Sequence, residues 1–266
     1  MREYRLTDEE RRQLDDDGYV VRRRVFDERE VAEITDACER LVADLVKDRR
    51  GKRYEVGSYV FEPDLLTGCT IKWEGDTDVV HGIEPFAHLS PELERWGYDP
   101  RFVEPSIDIV GEEPIALFTE KLNLKRPHVG GPNPFHQDFP YWDGYADDAT
   151  RVMTALLFLD DASLANGTLQ VVPGSHKQGK WRTRTDRDIF GNLEMDPSVV
   201  EDVETVAVEV EAGSVVYFGA FLVHKSDPNT SDRDRRALLY SYQPKRFASS
   251  REIERRLAAG RAAAKT

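Results

Sequence analysis

The stretch Asn133-Pro-Phe-His136-Gln-Asp138-Phe-Pro-Tyr-Trp142 contains the pair of residues on which the interpretation of the whole chain depends. His136 and Asp138 are two residues apart, so on an extended strand both side chains leave the same face. One imidazole and one carboxylate are two-thirds of the two-histidine, one-carboxylate set that holds non-heme Fe(II). The remaining imidazole must come from elsewhere, and His224 is the candidate. Since a His-x-Asp triplet also arises by chance, the pair needs support from the rest of the chain.

Composition and charge limit the class of protein. A chain of 266 residues without repeats or a linker predicts a single domain over 1–266. Its 50 acidic and 37 basic residues give a net charge of −13, which argues against a nucleic-acid partner because phosphate binding needs a clustered basic surface. The charged N-terminus does not resemble a signal peptide, and no apolar run approaches the roughly 18 residues of a membrane span. We therefore expect a cytoplasmic protein with no membrane partner, in which Cys38 and Cys69 are buried free thiols.

Two helices and a strand are predicted before residue 48. Thr7 precedes an acidic turn and Gly18 comes at the end of the same pattern, so a helix is expected between them. A strand is expected from Tyr19 through Phe26. Asp27 then caps a second helix, whose apolar residues recur at three- and four-residue steps and predict packing on a sheet. These residues are Val31, Ile34, Cys38, Leu41, Val42 and Leu45.

The rest of the chain divides into a region of weak signals and a β-rich region. Short apolar runs separated by Gly, Pro and Asp over 48–114 predict loops and short helices that cover one mouth of the fold. The later segments, rich in β-branched and aromatic residues, predict an antiparallel sandwich or barrel, with the core over about 115–245. They are Ile115–Asn123, Val152–Leu159, Thr168–Val172, Val203–Val210, Ser214–Phe218 and Ala237–Tyr242. The polar segment 177–198 predicts a loop near the site, and a C-terminal helix with Leu257 inward is expected over 249–265.

An arginine after His224 supports the metal hypothesis. Three protein ligands leave three positions open on an octahedral metal, two for a keto acid and one for dioxygen. A distal carboxylate on such a co-substrate is matched by a planar guanidinium. Arg235 directly precedes Arg236 and the apolar strand Ala237–Tyr242, which would point it into the cavity that His224 faces. Since two arginines are adjacent, the assignment carries an uncertainty of one residue.

Four blocks of sequence resemble the phytanoyl-CoA dioxygenase family of Fe(II)/2-oxoglutarate-dependent oxygenases, and its ectoine hydroxylase branch in particular. The blocks are Asp16–Val21, Pro134–Asp138, Asn166–Lys177 and Ala212–Val216 continuing through Val223–Asn229. Each block alone is unspecific, but their combination is highly specific. The resemblance implies a mostly β fold with flanking helices around a double-stranded β-helix, that is, a jelly-roll or cupin-like core. It also implies Fe(II), 2-oxoglutarate as co-substrate, and O2.

The resemblance implies roles for particular residues. His136, Asp138 and His224 match the iron ligands, and Arg235 matches the guanidinium that binds 2-oxoglutarate. Ser226 matches a hydroxyl that assists it. Two more positions, Asn123 and Trp142, match residues that line the co-substrate pocket in the ectoine hydroxylase branch. Lys225 departs from the family, which often has Gly there.

The expected activity is hydroxylation of an unactivated C–H bond of a small-molecule metabolite, with release of succinate and CO2. Related halogenases carry Ala or Gly where this chain has Asp138, so a carboxylate there favours hydroxylation or another oxidative outcome over halogenation. Two alternatives are a zinc hydrolase that uses the same three ligands, and a cupin-like barrel that binds a small molecule without catalysis. A monomer or a homodimer is expected.

The remaining histidines and aromatic residues have structural interpretations. Trp73, His81 and His88 are expected to be structural, and His176 is expected to tie down the turn after Val172. His128 fits an exposed loop and a substrate contact equally well. A further cluster can form either core or a dry wall beside the metal, and it consists of Phe135, Phe139, Tyr141, Trp142 and Tyr145.

Overall fold

Two antiparallel sheets carry most of the chain in the computed structural model, which describes residues 3–47, 51–56, 59–64, 66–75, 77–184 and 193–263. The large sheet has the strand order β1-β11-β8-β13-β6-β5-β4-β3-β2, and the small sheet has the order β10-β9-β12-β7. The strands are β1 Tyr19–Arg22, β2 Tyr54–Val56, β3 Tyr59–Asp64, β4 Cys69–Glu74, β5 Val80–Glu84, β6 Ile115–Lys125, β7 Asn133–His136, β8 Met153–Phe158, β9 Leu169–Val171, β10 Val206–Ala207, β11 Val215–Gly219, β12 His224–Ser226 and β13 Arg235–Pro244. The helices are α1 Asp8–Asp17, α2 Glu28–Lys47, α3 Pro91–Trp96, α4 Pro100–Val110, α5 Phe139–Trp142 and α6 Ser250–Ala263.

The first helix begins and ends where the sequence predicts. The Thr7 side chain accepts a hydrogen bond from the Glu10 amide, and the Glu10 carboxylate accepts one from the Thr7 amide. Gly18 ends the helix with φ of +87°, a conformation that glycine adopts without strain. The strand that follows is shorter than predicted: β1 stops at Arg22, because Arg24 has a positive φ of 49° and turns the backbone out of the extended region.

The second helix packs on one face of the large sheet, as predicted. Asp27 accepts a hydrogen bond from the Glu30 amide and so caps α2. Its buried residues join a core cluster with α3, α4 and the sheet, and they are Val31, Ile34, Ala37, Cys38 and Leu41. Cys38 and Cys69 are buried free thiols, which confirms that prediction.

The prediction of loops and short helices over 48–114 is wrong for its first half. Strands β2 to β5 form an antiparallel meander that extends the large sheet beyond β6. The sequence signal for these four strands is weak because each strand is short and its residues alternate between the helix-covered face and the cavity face of the sheet. Their stability comes from neighbouring strands that local sequence does not reveal. In the second half, α4 is a full helix rather than a short one, capped by Asp99 and ended by Gly111.

The barrel interior lies between the two sheets. Apolar residues of β1, β8, β11 and β13 meet those of β9 in one cluster, and this cluster includes Tyr19, Leu156, Phe158, Val171, Val216, Phe218 and Ala237. All six predicted strands are present with shifted ends, and the segment predicted over Val203–Val210 shrinks to the two residues of β10. The arrangement is the predicted mostly β, cupin-like double-stranded β-helix.

The C-terminal helix predicted over 249–265 is present as Ser250–Ala263, and 264–265 lie outside the described residues. Ser249 caps α6 by accepting a hydrogen bond from the Glu252 amide. Leu257, predicted to face inward, is 47% exposed. Among the described residues, no helix combines the length and the apolar character needed to cross a bilayer.

Candidate metal centre

Two histidines meet across neighbouring strands of the small sheet. His136 is the last residue of β7 and His224 is the first of β12, and the two are directly paired in the antiparallel register. Their ring centroids are 4.1 Å apart. With Asp138 they form a cluster in which one ligand atom from each residue lies within 4.8 Å of the others. Three residues separated by up to 88 positions thus converge, as predicted.

Asp138 lies at the start of a helix, and not on the strand that was predicted from its spacing to His136. Strand β7 ends at His136, and Asp138 has helical backbone angles (φ −71°, ψ −31°) at the start of α5. Pro140 lacks an amide hydrogen and is suited to a helix start. The Phe139 amide donates to the Ala220 carbonyl at 3.0 Å, which fixes this turn against the other side of the site. The Asp138 carboxylate lies 4.0 Å from His136 Nε2.

Both imidazoles are oriented by backbone carbonyls. His136 Nδ1 lies 2.8 Å from the Pro134 carbonyl and His224 Nδ1 lies 3.0 Å from the Leu222 carbonyl. A carbonyl can only accept, so each Nδ1 carries the hydrogen and each Nε2 offers a lone pair. Burial, followed by the neighbouring His224, lowers the pKa of His136 well below its usual value, which keeps it neutral. Two neutral imidazoles and one carboxylate are a donor set that fits Fe(II).

The adjacent arginines have opposite surroundings. Arg235 is 4% exposed, and its Nε is a buried donor for which the described residues provide no acceptor. Burial lowers the pKa of Arg235 to about 10 although the Asp160 carboxylate opposes the shift, so the buried charge is costly. Arg236 points to the helix side, where Asp160 and Glu39 accept its hydrogen bonds at 2.6 and 3.0 Å. Only Arg235 is therefore placed to bind an anion from the cavity.

A polar network beside Ser226 was missed by the sequence analysis. Asn133 Nδ2 donates to the Ser226 hydroxyl at 3.2 Å, and Asn133 Oδ1 lies 3.2 Å from His81 Nε2. His81 Nδ1 in turn lies 2.6 Å from the Glu74 carboxylate. Lys72 reaches the same Asn133 oxygen at 3.5 Å and lies over the ring of Tyr59. His81 was expected to be merely structural, but it lies two contacts from a predicted co-substrate residue.

A buried lysine lies beside Arg235. Lys125 is directly opposite Arg235 in the pairing of β6 with β13, and its exposure is 0%. Its ammonium donates to the carbonyls of Ser226, at 3.2 Å, and of Asp227. Burial, followed by the charge of Arg235, lowers the pKa of Lys125 to about 6. This end of the barrel therefore favours an anionic ligand.

The sequence model of the phytanoyl-CoA dioxygenase family matches residues 14–237. The chain belongs to this family. It is thus an Fe(II)- and 2-oxoglutarate-dependent oxygenase, as the resemblance predicted.

Individual relatives support the assignment. The ectoine dioxygenase of Bordetella parapertussis is 28% identical over 241 residues, which are 85% of this chain and 71% of the relative. The L-proline trans-4-hydroxylase of Streptomyces griseoviridis is 29% identical over 191 residues, 64% of this chain and 69% of the relative. EctD from S. alaskensis, solved with 2-oxoglutarate and 5-hydroxyectoine, superposes with a TM-score of 0.69 at 22% identity, covering 90% of this chain and 76% of EctD. That likeness shows the shared fold.

The other two predicted pocket residues lie on β6 and at the end of α5. Asn123 is on β6, opposite Ala237, a residue of the barrel interior. Trp142 ends α5 and packs edge-on against Phe118, with ring centroids 5.6 Å apart. Tyr141 lies edge-on to His136 at 6.0 Å and is 42% exposed. Within the aromatic cluster, Tyr141 therefore lies beside a candidate metal ligand, and Trp142 packs on Phe118.

Residues outside the cavity have structural contacts. Lys225 faces the outer side of the small sheet, where it pairs with Asp227 at 3.0 Å, so it does not stand beside the metal. His176 contacts the Asp15 carbonyl at 3.1 Å and packs against Gly18. His128 pairs with Asp232 on the surface, at 2.7 Å. His88 contacts the Thr67 carbonyl at 2.6 Å.

Gln137, between His136 and Asp138, contacts the segment predicted as a loop over 177–198, of which 185–192 lie outside the described residues. The Gln137 side chain is fully buried; its amide donates to the carbonyls of Gly179 and Phe221 and its oxygen accepts from the Trp181 amide. At the other end of the segment, the Met195 amide donates to the Phe135 carbonyl. The two ends of the segment are therefore fixed to residues adjacent to His136.

Proposed function

We propose that His136, Asp138 and His224 hold Fe(II), and that the chain hydroxylates an unactivated C–H bond of a small-molecule metabolite. The observation that carries this proposal is the convergence of these three side chains, with Nε2 of both imidazoles left available by the carbonyl contacts. When bound, Fe(II) with 2-oxoglutarate and O2 supplies the oxidant, and 2-oxoglutarate leaves as succinate and CO2.

The protein's own contribution begins with binding the co-substrate. We assign its distal carboxylate to Arg235, because the buried Nε of this side chain has no acceptor among the described residues and the guanidinium would gain a charge-assisted hydrogen bond. The Ser226 hydroxyl, oriented by Asn133, donates to the same carboxylate. Lys125 lies on the opposite strand, and a bound carboxylate would favour its charged form over the neutral form that burial and Arg235 favour. Asn123 and Trp142 remain our proposals for the pocket wall.

The second contribution is exclusion of water and of competing ligands. We propose that Tyr141, which lies edge-on to His136, and the packed pair of Trp142 and Phe118 make one wall of the site apolar. The Asp138 carboxylate occupies the position that a halide would need, which favours hydroxylation over halogenation. A zinc hydrolase would leave the buried, unpaired Arg235 without a role, and a barrel without catalysis would not require the carbonyl-oriented imidazoles. We further propose a cytoplasmic enzyme, a monomer or a homodimer, that does not bind nucleic acid.

The test is anaerobic reconstitution with Fe(II) followed by addition of 2-oxoglutarate. We expect a visible charge-transfer absorption band, then succinate release with O2 consumption once air is admitted. The variant His224→Ala should give neither, whereas His128→Ala, which changes an exposed histidine, should match the wild type. A wild-type protein that shows no band and releases no succinate contradicts the proposal. Succinate release that persists in His224→Ala contradicts the ligand assignment.

A further inference from the structure

Lys125 and Arg235, which we call the basic pair, stand side by side inside the barrel. They are directly opposite each other in the antiparallel register of β6 and β13, so their side chains leave the same face of the sheet as neighbours. Lys125 is 0% exposed and Arg235 is 4% exposed. The side-chain nitrogen of Lys125 lies 3.2 Å from the carbonyl oxygen of Ser226, on β12 of the small sheet. The basic pair therefore points into the space between the two sheets.

The acidic side chains around Lys125 are bound to other partners. These acidic residues are Glu74 and Asp227. The Glu74 carboxylate lies 2.6 Å from Nδ1 of His81, and the Asp227 carboxylate lies 3.0 Å from the ammonium of Lys225. Among the described residues, neither member of the basic pair forms an ion pair with a carboxylate. The protein itself thus leaves the positive charge at this position unbalanced.

The hydrogen bonds of Lys125 suit its neutral form. A neutral lysine nitrogen carries two hydrogens, whereas the ammonium carries three. The described residues offer this nitrogen two acceptors, the carbonyl oxygens of Ser226 and Asp227, so a third hydrogen would have no acceptor. Burial, followed by the charge of Arg235, lowers the pKa of Lys125 to about 6, and Lys72 acts in the same direction. Without a ligand, the basic pair therefore carries a single positive charge at neutral pH, that of Arg235.

We propose that Lys125 is a further co-substrate-binding residue, which takes up a proton as 2-oxoglutarate binds, so that both members of the basic pair hold the distal carboxylate. The carboxylate supplies the acceptor that Nε of Arg235 and the third hydrogen of Lys125 both lack. Its negative charge also offsets the repulsion between the two basic groups. One proton moves from the solvent to Nζ of Lys125, and no other bond changes.

Proton uptake makes the affinity for the co-substrate depend on pH. Since the complex contains one proton more than the separate partners, its stability falls as the pH rises above the pKa of Lys125 in the ligand-free protein. The two carboxyl groups of 2-oxoglutarate are ionised throughout the neutral range and add no pH dependence of their own. The inference rests on the proposed function, because it concerns the co-substrate of the same site.

The first experiment titrates 2-oxoglutarate into the Fe(II)-loaded protein by anaerobic calorimetry at about pH 7.5. Repeating the titration in buffers of different ionisation enthalpy gives the number of protons taken up for each co-substrate bound. We expect about one proton for the wild type and for the control Lys225→Met, which removes a lysine from the outer side of the small sheet, and none for Lys125→Met or Lys125→Gln. The inference is overturned if the wild type takes up no proton, or if the Lys125 variants take up as many. Absence of any binding to the wild type overturns the proposed function, and this inference with it.

The second experiment separates proton uptake from structural support. Lys125 also ties β6 to the backbone after β12 through its two carbonyl contacts, and loss of that support would raise the Kd by the same factor at every pH. Proton uptake predicts that the Kd of the wild type for 2-oxoglutarate rises by up to about tenfold per pH unit from about pH 6.5 to 8.5, whereas the Kd of Lys125→Met changes less than about twofold. The Kd values of the two proteins should therefore approach each other as the pH rises. A wild-type Kd that stays constant over this range, or a parallel rise in Lys125→Met, contradicts the inference.

Discussion

Replacing Arg235 by methionine should weaken co-substrate binding and at the same time stabilise the ligand-free protein. The guanidinium is 4% exposed and its Nε lacks an acceptor. Its pKa of about 10, against an ordinary 12.5, means that folding disfavours the charged form. At 1.36 kcal/mol per pKa unit, the cost at neutral pH is about 3 kcal/mol. Arg235→Met removes this cost, so the free energy of unfolding should rise by up to about 3 kcal/mol and Tm by several degrees.

The same substitution, Arg235→Met, should destabilise the complex of the protein with 2-oxoglutarate. Losing one partner of a buried, hydrogen-bonded charge pair costs about 2–5 kcal/mol, which corresponds to an increase in the Kd for 2-oxoglutarate of about 30-fold to several thousand-fold. The neighbouring variant Arg236→Met is the matched control. It breaks the ion pairs with Asp160 and Glu39, so it should lower Tm and leave the Kd within about twofold of wild type.

Thermal unfolding without ligand and anaerobic titration with 2-oxoglutarate measure both effects. The reasoning is refuted if Arg235→Met binds 2-oxoglutarate as tightly as the wild type. It is equally refuted if Arg235→Met destabilises the ligand-free protein as much as Arg236→Met does.

Three further predictions concern the metal, the co-substrate and pH. Asp138→Ala should lose Fe(II) on desalting and lower kcat by more than about 100-fold, as measured by metal analysis and succinate release; retained iron at full stoichiometry argues against its role as a ligand. Ser226→Ala should raise the KM for 2-oxoglutarate about tenfold with kcat nearly unchanged, because it removes one hydrogen bond to a charged group. Burial lowers the pKa of His81 to about 4. Below pH 6.5, His81 is therefore protonated in the unfolded chain but stays neutral in the folded protein. The free energy of unfolding should fall by up to about 3 kcal/mol between pH 6.5 and 4. Denaturant titrations at several pH values should show a smaller fall in the free energy of unfolding for His81→Gln. An equal fall in the variant would contradict the attribution of this pH dependence to His81.

The sequence was most informative where local chemistry decides the structure. Helix α1 has its capping residue, its acidic turn and its terminal glycine within twelve positions, and all three act locally. The metal dyad was recognisable because its two residues are near each other in sequence. His224 was a candidate before the family pattern was recognised, and that pattern strengthened the choice, since no local signal distinguishes a histidine at the start of a three-residue strand.

What the sequence did not reveal depends on distant pairing. Asp138 was placed on a strand because spacing of two suits an extended chain, but β7 ends two residues earlier. The network through Glu74, His81 and Asn133 joins β4, β5 and β7, and it appears only when the large sheet extends over the barrel mouth. The choice between Arg235 and Arg236 depends on which face of β13 each residue occupies. That face was fixed by pairing with β6 and β8, not by the dipeptide.

The contacts of Gln137 bear on how such an enzyme acquires a new substrate. One amide side chain between two metal ligands holds Gly179 and Trp181, and a backbone bond near the first ligand holds Met195. The chain between these attachment points starts and finishes at fixed positions beside the catalytic centre. Insertions, deletions and exchanges of sequence there leave the attachment points untouched, so we expect selection for new substrates to act on that span without moving His136 or Asp138.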